Sequence, residues 1–225
     1  LKMHWKDEGY LLSKINYDEN SIIIEVFTQD HGKCTGMVYG GSSRKQKRNF
    51  QVGNKLLLNW RSKNVNKNGY FTSELIKPIA APYFDDKKKT ISILSASSLL
   101  KILLPERQTN KKIYNLFNHL LNNLFLKDWI KLYIFWELSL VKELGYEINL
   151  FEKAINSTDD ASSIKINNKF FNLPKLLLES NSVNLTDNNI KEALMFNKNL
   201  LLENFATPNN LKLPIARNIL ESYYS

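Results

Sequence analysis

The spacing of apolar residues changes once along this chain. Through residue 79 they come in short runs rich in β-branched and aromatic side chains; from residue 90 onward they recur three and four positions apart. The first pattern predicts five strands: "YLLSKI" (10–15), "SIIIEVFTQ" (21–29), "KCTGMVYG" (33–40), "NKLLLNWRSK" (54–63) and "YFTSELIKPI" (70–79). Such residues suit a pleated, half-buried surface, and turn formers bound each run. "NYDEN" and "DHG" are connections of hairpin type, and "NVNKNG" (64–69) is a longer tip closed by Gly69. Five short strands, with glycines where strands must bend, fit a small, partly open barrel of the OB type. An SH3-like barrel fits the pattern nearly as well.

"PIAAPYFDD" (78–86) ends the β pattern, with Pro78 and Pro82 bracketing a linker. The helical period then predicts "TISILSASSLLKILLP" (90–105), stopped by Pro105, and "KKIYNLFNHLLNNLF" (111–125), with Ile113, Leu116, Phe117, Leu120, Leu121 and Leu124 on one face. A third helix, 128–145, has Asp128 as its N-cap and Gly145 just beyond its end. It is apolar nearly all round, as a central helix of a bundle is. Further helices are expected over "LPKLLLES", 187–205 and 213–224, the last with Pro214 near its first turn. Residues 151–173 are polar, with room for one short hairpin around "SIKINNKFF". The expectation is an α+β chain: an N-terminal five-stranded OB-type β-barrel over 1–82, then a C-terminal all-α helical bundle over 83–225.

Composition narrows the class. A 225-residue chain with 43% hydrophobic and 24% charged residues is globular and long enough to bury a core. No apolar run is long enough to cross a bilayer, and the N-terminus lacks the apolar core of a signal peptide. The chain is therefore expected to stay in the cytoplasm, without membrane partners. Cys34 is the single cysteine, which excludes a disulfide framework and a cysteine-rich zinc site.

Charge changes the picture more. The excess of +9 is concentrated in residues 33–89, where thirteen Lys and Arg face three acids. Residues 1–32 carry net −3 and residues 151–225 net 0. Compositional drift towards lysine would spread the charge evenly and would not favour Arg44, Arg48 and Arg61. A concentrated basic surface is the footprint of phosphate binding. Arg44, Lys45, Lys47 and Arg48 follow "GGSS", a loop able to approach a backbone closely. Arg61 and Lys63 are two apart on the next strand and so share a face. With strands three and four as neighbours, one groove would be lined from both. Trp60, Tyr70 and Phe71 are stacking candidates, although Tyr70 and Phe71 must face opposite ways and Trp60 reads as core. The bland alternative is a solvated loop over core aromatics; the segregation of charge favours nucleic acid.

Catalytic chemistry finds little support. Gly36 and Gly41 have phosphate-loop spacing, but Ser42-Ser43 stand where Lys-Ser/Thr is required. His4, His31 and His119 are scattered, which argues against a metal site. His31 reads as a turn residue, Cys34 as a small core residue, and Asp85-Asp86 as helix N-terminal charge. Glu106 and Arg107 in "LLPERQ" read as a bland loop, a buried ion pair, or a charged rim beside an apolar groove that takes an acidic tail. No catalytic residue and no cofactor is expected.

The segments "WKDEGYLLS" (5–13), "ENSIIIEVFTQDHGKCTGMVYGGSSRKQKRNFQVGN" (19–54), "WRSK" (60–63), "ELIKPIAA" (74–81), "LLPERQ" (103–108) and "IFWELSLVKELGYEINL" (134–150) together resemble the RecO family of bacterial recombination mediators, especially its alphaproteobacterial branch. The resemblance implies an N-terminal OB barrel, a C-terminal helical domain, and binding of single- and double-stranded DNA. It implies annealing of complementary strands and, with RecR, loading of RecA on strands coated with single-strand DNA-binding protein (SSB). The family's basic loop falls on Arg44, Lys45, Lys47 and Arg48, and its basic strand on Arg61 and Lys63. Pro105, Glu106, Arg107, Tyr114 and Trp136 match recurrent family positions, most of them as packing; Arg107 and Lys131 are the candidates for partner contact. One departure stands out. Many RecO proteins carry a four-cysteine zinc module, but where its first cysteine would fall, near Lys153, this chain has "FEKAIN" and no later cysteine. The main expectation is a non-enzymatic DNA-binding mediator. The competing one is an adaptor whose helical domain binds an acidic SSB tail while the barrel charge only adds solubility. A nuclease or ligase has no carboxylate cluster or nucleophilic lysine motif behind it.

Overall fold

The computed structural model describes residues 3–44, 46–62, 69–146, 163–167, 169–178 and 183–224. Five strands, β1 (Met3–Asn16), β2 (Ser21–Thr28), β3 (Gly32–Tyr39), β4 (Lys55–Ser62) and β5 (Gly69–Lys77), close into a barrel of order β1-β2-β3-β5-β4. The long β1 serves twice. Its first half pairs with β4, from Met3↔Ser62 to Tyr10↔Lys55, and its second half pairs with β2 after a register shift between Leu11 and Ser13. That shift bends the strand around the corner of the barrel. The polar stretch before Tyr10 hid this first half from the periodicity. Inward-facing Asp7 breaks the alternation, and it is buried because it accepts hydrogen bonds from the Asp30 amide and His31 Nδ1, both at 2.9 Å.

Closure comes from the short parallel pairing of β3 with β5, Gly36↔Gly69 and Met37↔Tyr70. Both glycines are needed there: a Cβ on Gly69 would lie 2.4 Å from the Trp60 ring, and one on Gly36 2.6 Å from Phe71. β5 thus lies between β3 and β4. Strands three and four are not neighbours as expected, because parallel pairing of β3 to β5 closes the barrel. Leu11, Ile24, Val26, Phe50, Leu56, Leu58, Trp60 and Phe71 fill the interior.

The first half of β3 has no β5 partner, and "LLPERQ" takes its place. The Arg107 amide donates to the Lys33 carbonyl at 2.7 Å, while Glu106 accepts from Thr35 Oγ1 at 3.0 Å and lies 3.9 Å from Lys33 Nζ. Glu106 is exposed and its contacts run to β3, so it makes no buried ion pair between helices, and the segment is more than a bland loop. Helices α1 (Lys87–Leu103) and α2 (Lys111–Asn122) flank it. Asp86 caps α1 by accepting from the Lys89 amide at 3.1 Å. On α2, Tyr114 and Phe117 pack their rings 5.7 and 5.3 Å from Tyr10 of β1. The first compact unit therefore runs through Leu121, with both helices on the barrel, whereas the boundary expected at 82/83 marks the change from strand to helix.

The second unit, Asn122–Ser225, contains α3 (Trp129–Glu143), a hairpin of β6 (Ser163–Ile166) and β7 (Lys169–Asn172), α4 (Lys175–Leu178), α5 (Asp187–Leu201) continued by a π-helical turn (Leu202–Ala206), and α6 (Ile215–Ser222). The helical region is thus not all-α: the hairpin falls on "SIKINNKFF", while 151–162 lies outside the described residues. Gly145 ends α3 at φ +101°, with its amide on the Lys142 carbonyl and the Tyr146 amide on the Val141 carbonyl, a Schellman ending. Asp128 stands at the N-cap of α3, but its side chain makes no capping bond.

A buried ion pair organises this unit. Glu137 of α3 and Arg217 of α6 both have fully buried side chains, and Arg217 donates through Nε and Nη2 to the Glu137 carboxylate. Tyr133 and Asn197 also donate to that carboxylate, and Arg217 donates to the Leu194 carbonyl at 2.7 Å. Burial disfavours the guanidinium charge, but the adjacent carboxylate outweighs it and raises the Arg217 pKa.

Candidate nucleic-acid interface

Strand alternation fixes which side chains reach the outer face of the barrel. One cross-strand row runs Ile15↔Ile23, Ile23↔Met37, Met37↔Tyr70, Tyr70↔Arg61 and Arg61↔His4, passing from one half of β1 around to the other. Directly opposed residues share a face. Ile15, Tyr70, Arg61 and His4 are exposed. Tyr39, the next outward residue on β3, is 69% exposed, and its ring centroid lies 6.1 Å from that of Tyr70, tilted by 55°. Tyr39 also pairs with Ser21, where β2 leaves the β1–β2 turn. The aromatic pair therefore stands where the end of β3 meets the start of β5, beside the β1–β2 turn, one of the connections through which OB barrels hold oligonucleotides.

The loop after Tyr39 is pinned from within. Ser42 Oγ donates to the Glu19 carbonyl at 2.6 Å, tying it to the β1–β2 turn. The Gln46 and Lys47 amides both donate to the Ser43 carbonyl at 3.0 Å, forming a helical turn, and Phe50 inserts into the core at 1% exposure. Buried Asn54 donates to the Arg48 and Asn49 carbonyls and accepts from the Ala80 amide. With its apolar and amide groups turned inward, the loop leaves Arg44, Lys47 and Arg48 exposed. Lys14 of β1 adds to this cluster: partial burial and the nearby Lys47 charge both lower its pKa.

Several other cations of the first unit are paired with carboxylates. Lys55 pairs with Glu8 at 2.7 Å, Lys101 with Glu25 at 3.2 Å and Lys111 with Asp30 at 2.8 Å. Arg44, Lys47, Arg48 and Arg61 have no carboxylate partner among the described residues. Arg44, Lys47 and Arg48 share the loop, and the ladder sets Arg61 beside Tyr70. Lys45 and Lys63 lie outside the described residues. Trp60 and Phe71 are core at 3% and 1% exposure, leaving Tyr70 as the outward member of the three aromatic candidates. Sequence reading missed Tyr39; its last-outward position on β3, next to "GG", was the available signal.

Other candidates fall elsewhere. Arg107 adopts φ +58° and holds its guanidinium 5.6 Å from the Trp60 ring, at the edge of a cavity of about 210 Å³ that Trp5 and His31 also line. His31 sits in the β2–β3 turn, stacked 4.1 Å from Trp5 and bonded to Asp7. Cys34 is buried on β3, where desolvation pushes its thiol up to about 12. Lys131 lies half-buried on α3 of the second unit. Among the described residues no three His, Cys, Asp or Glu side chains group as a metal site, and no helix is long and apolar enough to cross a membrane.

A closed barrel of this strand order, with a basic loop following exposed Tyr39 and with Arg61 opposite Tyr70, is an OB-type barrel. The chain belongs to the recombination protein O family. The profile "Recombination protein O N terminal" matches residues 3–79, and "Recombination protein O C terminal" matches residues 85–204. The DNA repair protein RecO of Ehrlichia chaffeensis is 33% identical over 160 residues, 70% of this chain and 65% of that one. That of Wolbachia pipientis subsp. Culex pipiens is 32% identical with the same coverage, and that of Jannaschia sp. 35% identical over 68% of this chain and 62% of its own. The matched stretch thus spans less than two thirds of each relative. A solved structure, Entamoeba histolytica asparaginyl-tRNA synthetase, aligns over 94% of this chain and 59% of its own at TM-score 0.31 and 13% identity, a likeness too slight to bear on the fold.

Proposed function

We propose that this protein is a non-enzymatic mediator of DNA repair and recombination that holds DNA by its phosphates on the barrel's outer face. The observation that carries the reading is the set of exposed cations, Arg44, Lys47, Arg48 and Arg61, with no carboxylate partner among the described residues. The relatives' name, DNA repair protein RecO, supports the same role. Two complementary strands repel each other through their phosphates. A basic face that neutralises them concentrates both strands and lowers that repulsion, which favours annealing. In the finer form of this proposal the protein acts with RecR to load RecA on SSB-coated single strands, in the cytoplasm at the nucleoid. Lys45 and Lys63 belong to the same phosphate-binding set. The test is annealing of complementary oligonucleotides, naked and SSB-coated. Wild type should accelerate it without metal or ATP, and the Arg44→Ala/Arg48→Ala/Arg61→Ala variant should not; equal rates would remove the proposal.

A second reading has its own support. In the second unit Phe171, Leu173, Pro174, Met195 and Phe196 line a groove of about 320 Å³. An adaptor would use such a groove for the apolar residues of an acidic SSB tail, with Lys131 of the same unit as the candidate for its carboxylates. Titrating an SSB tail peptide against the full chain, with Met195→Glu as the groove variant, separates this reading from DNA binding by the barrel.

A further inference from the structure

We infer that Tyr39 and Tyr70 form a stacking subsite for unpaired bases, which makes the barrel's outer face select single strands over duplex. This deepens the phosphate-binding reading and rests on it.

Lone exposed tyrosines are ordinary. These two are different because they touch, at 6.1 Å between centroids, and because the barrel frame fixes both. Tyr70 is held by ladder pairing to Met37 on one side and Arg61 on the other; Tyr39 is the last residue of β3, opposite Ser21. Neither ring serves the interior, for Phe71 and Val38 next to them occupy those positions at 1% and 5% exposure. With exposures of 69% and 37%, both leave ring surface open to solvent.

The neighbours of this pair supply the rest of a strand-binding site. Arg61 directly opposes Tyr70 without a carboxylate partner among the described residues, so a phosphate next to a stacked base meets a cation. The loop carrying Arg44, Lys47 and Arg48 starts one residue after Tyr39. Met37, directly opposite Tyr70 and two residues before Tyr39, lies on the same outer face. In a duplex the base faces are covered by their stacked neighbours, so the phosphates reach the cations but the tyrosines find nothing to stack on. A single strand presents both groups. Stacking is also indifferent to base identity, so the subsite selects strandedness and not sequence.

The test uses the full chain with a labelled single strand, the same strand carrying abasic sites, and a blunt duplex. Tyr39→Ala/Tyr70→Ala should weaken single-strand binding about tenfold, within the range that alanine substitution of stacking aromatics gives. Duplex affinity and the salt dependence should stay as in wild type, and the abasic strand should bind wild type as weakly as the intact strand binds the variant. Tyr39→Phe/Tyr70→Phe should retain full affinity, since stacking needs the ring and not the hydroxyl. Equal losses on single strand and duplex, or no loss on the single strand, would overturn the subsite. The Arg44→Ala/Arg48→Ala/Arg61→Ala variant separates the two claims. If it binds as wild type, the phosphate reading itself fails. If it loses both ligands while the tyrosine variant loses neither, only the subsite fails.

Discussion

Arg61 and Tyr70 oppose each other directly across the β4–β5 ladder, and both side chains are exposed on the outer face of the barrel. A guanidinium beside an open aromatic ring is set there by strand register alone. Slipping β4 by one residue would turn Arg61 into the core and bring Trp60 out, and the same slip of β5 would exchange Tyr70 with Phe71.

The buried Glu137–Arg217 pair is expected to hold α3 and α6 together. Removing Arg217 leaves the Glu137 carboxylate without its counter-charge, and removing Glu137 leaves Arg217 only Glu221, at 3.3 Å, as a carboxylate partner among the described residues, so Glu137→Leu or Arg217→Met should each cost about 3–5 kcal/mol. The double variant Glu137→Leu/Arg217→Met should cost less than the sum of the two, because no buried charge is left alone. Urea denaturation of the three variants checks this; strictly additive losses would show that the pair has no coupling.

Barrel closure depends on the close passage of β5 over Trp60. Gly69→Ala puts a methyl 2.4 Å from the indole and 2.6 Å from the Arg61 carbonyl oxygen. The expected loss is about 1–3 kcal/mol, as for overpacking elsewhere. Gly40→Ala meets nothing within 4 Å and is disfavoured only by its φ of +73°, so about 1 kcal/mol is expected. Thermal denaturation should rank the two variants in that order.

Cys34 gives a pH dependence with a definite sign. Burial raises its thiol from 9.0 to about 12. Between those values the unfolded chain releases a proton that the folded chain keeps, so this residue's contribution is intact below pH 9.0 and falls as pH rises towards 12. The stability difference between wild type and Cys34→Ala should therefore shrink with rising pH across that window. At pH 8 a thiol reagent should label the folded protein slowly and the urea-unfolded protein fast.

Much of this was legible in the chain. β3 and β4 follow alternation that places one side chain in and the next out, and α2 follows three- and four-residue spacing. The first half of β1 was not, because Asp7 faces inward, where its bonds to the Glu8 amide, the distant Asp30 amide and His31 make that tolerable. The closure of β3 on β5 was not either, since a two-residue parallel pairing leaves no periodic trace. Glu137 was hidden in a helix apolar nearly all round, and its partner lies 80 residues away. The basic loop was visible as charge segregation. That Tyr39 touches Tyr70 follows only from the barrel's strand order.

The salt dependence of single-strand binding tests the central claim most directly. Each phosphate neutralised contributes about −0.7 to the log–log slope of affinity against salt concentration. Replacing Arg44, Arg48 and Arg61 by alanine should weaken binding and make the slope shallower by about 2, whatever the sequence of the strand. Binding that keeps wild-type strength and slope without these three side chains would contradict the account.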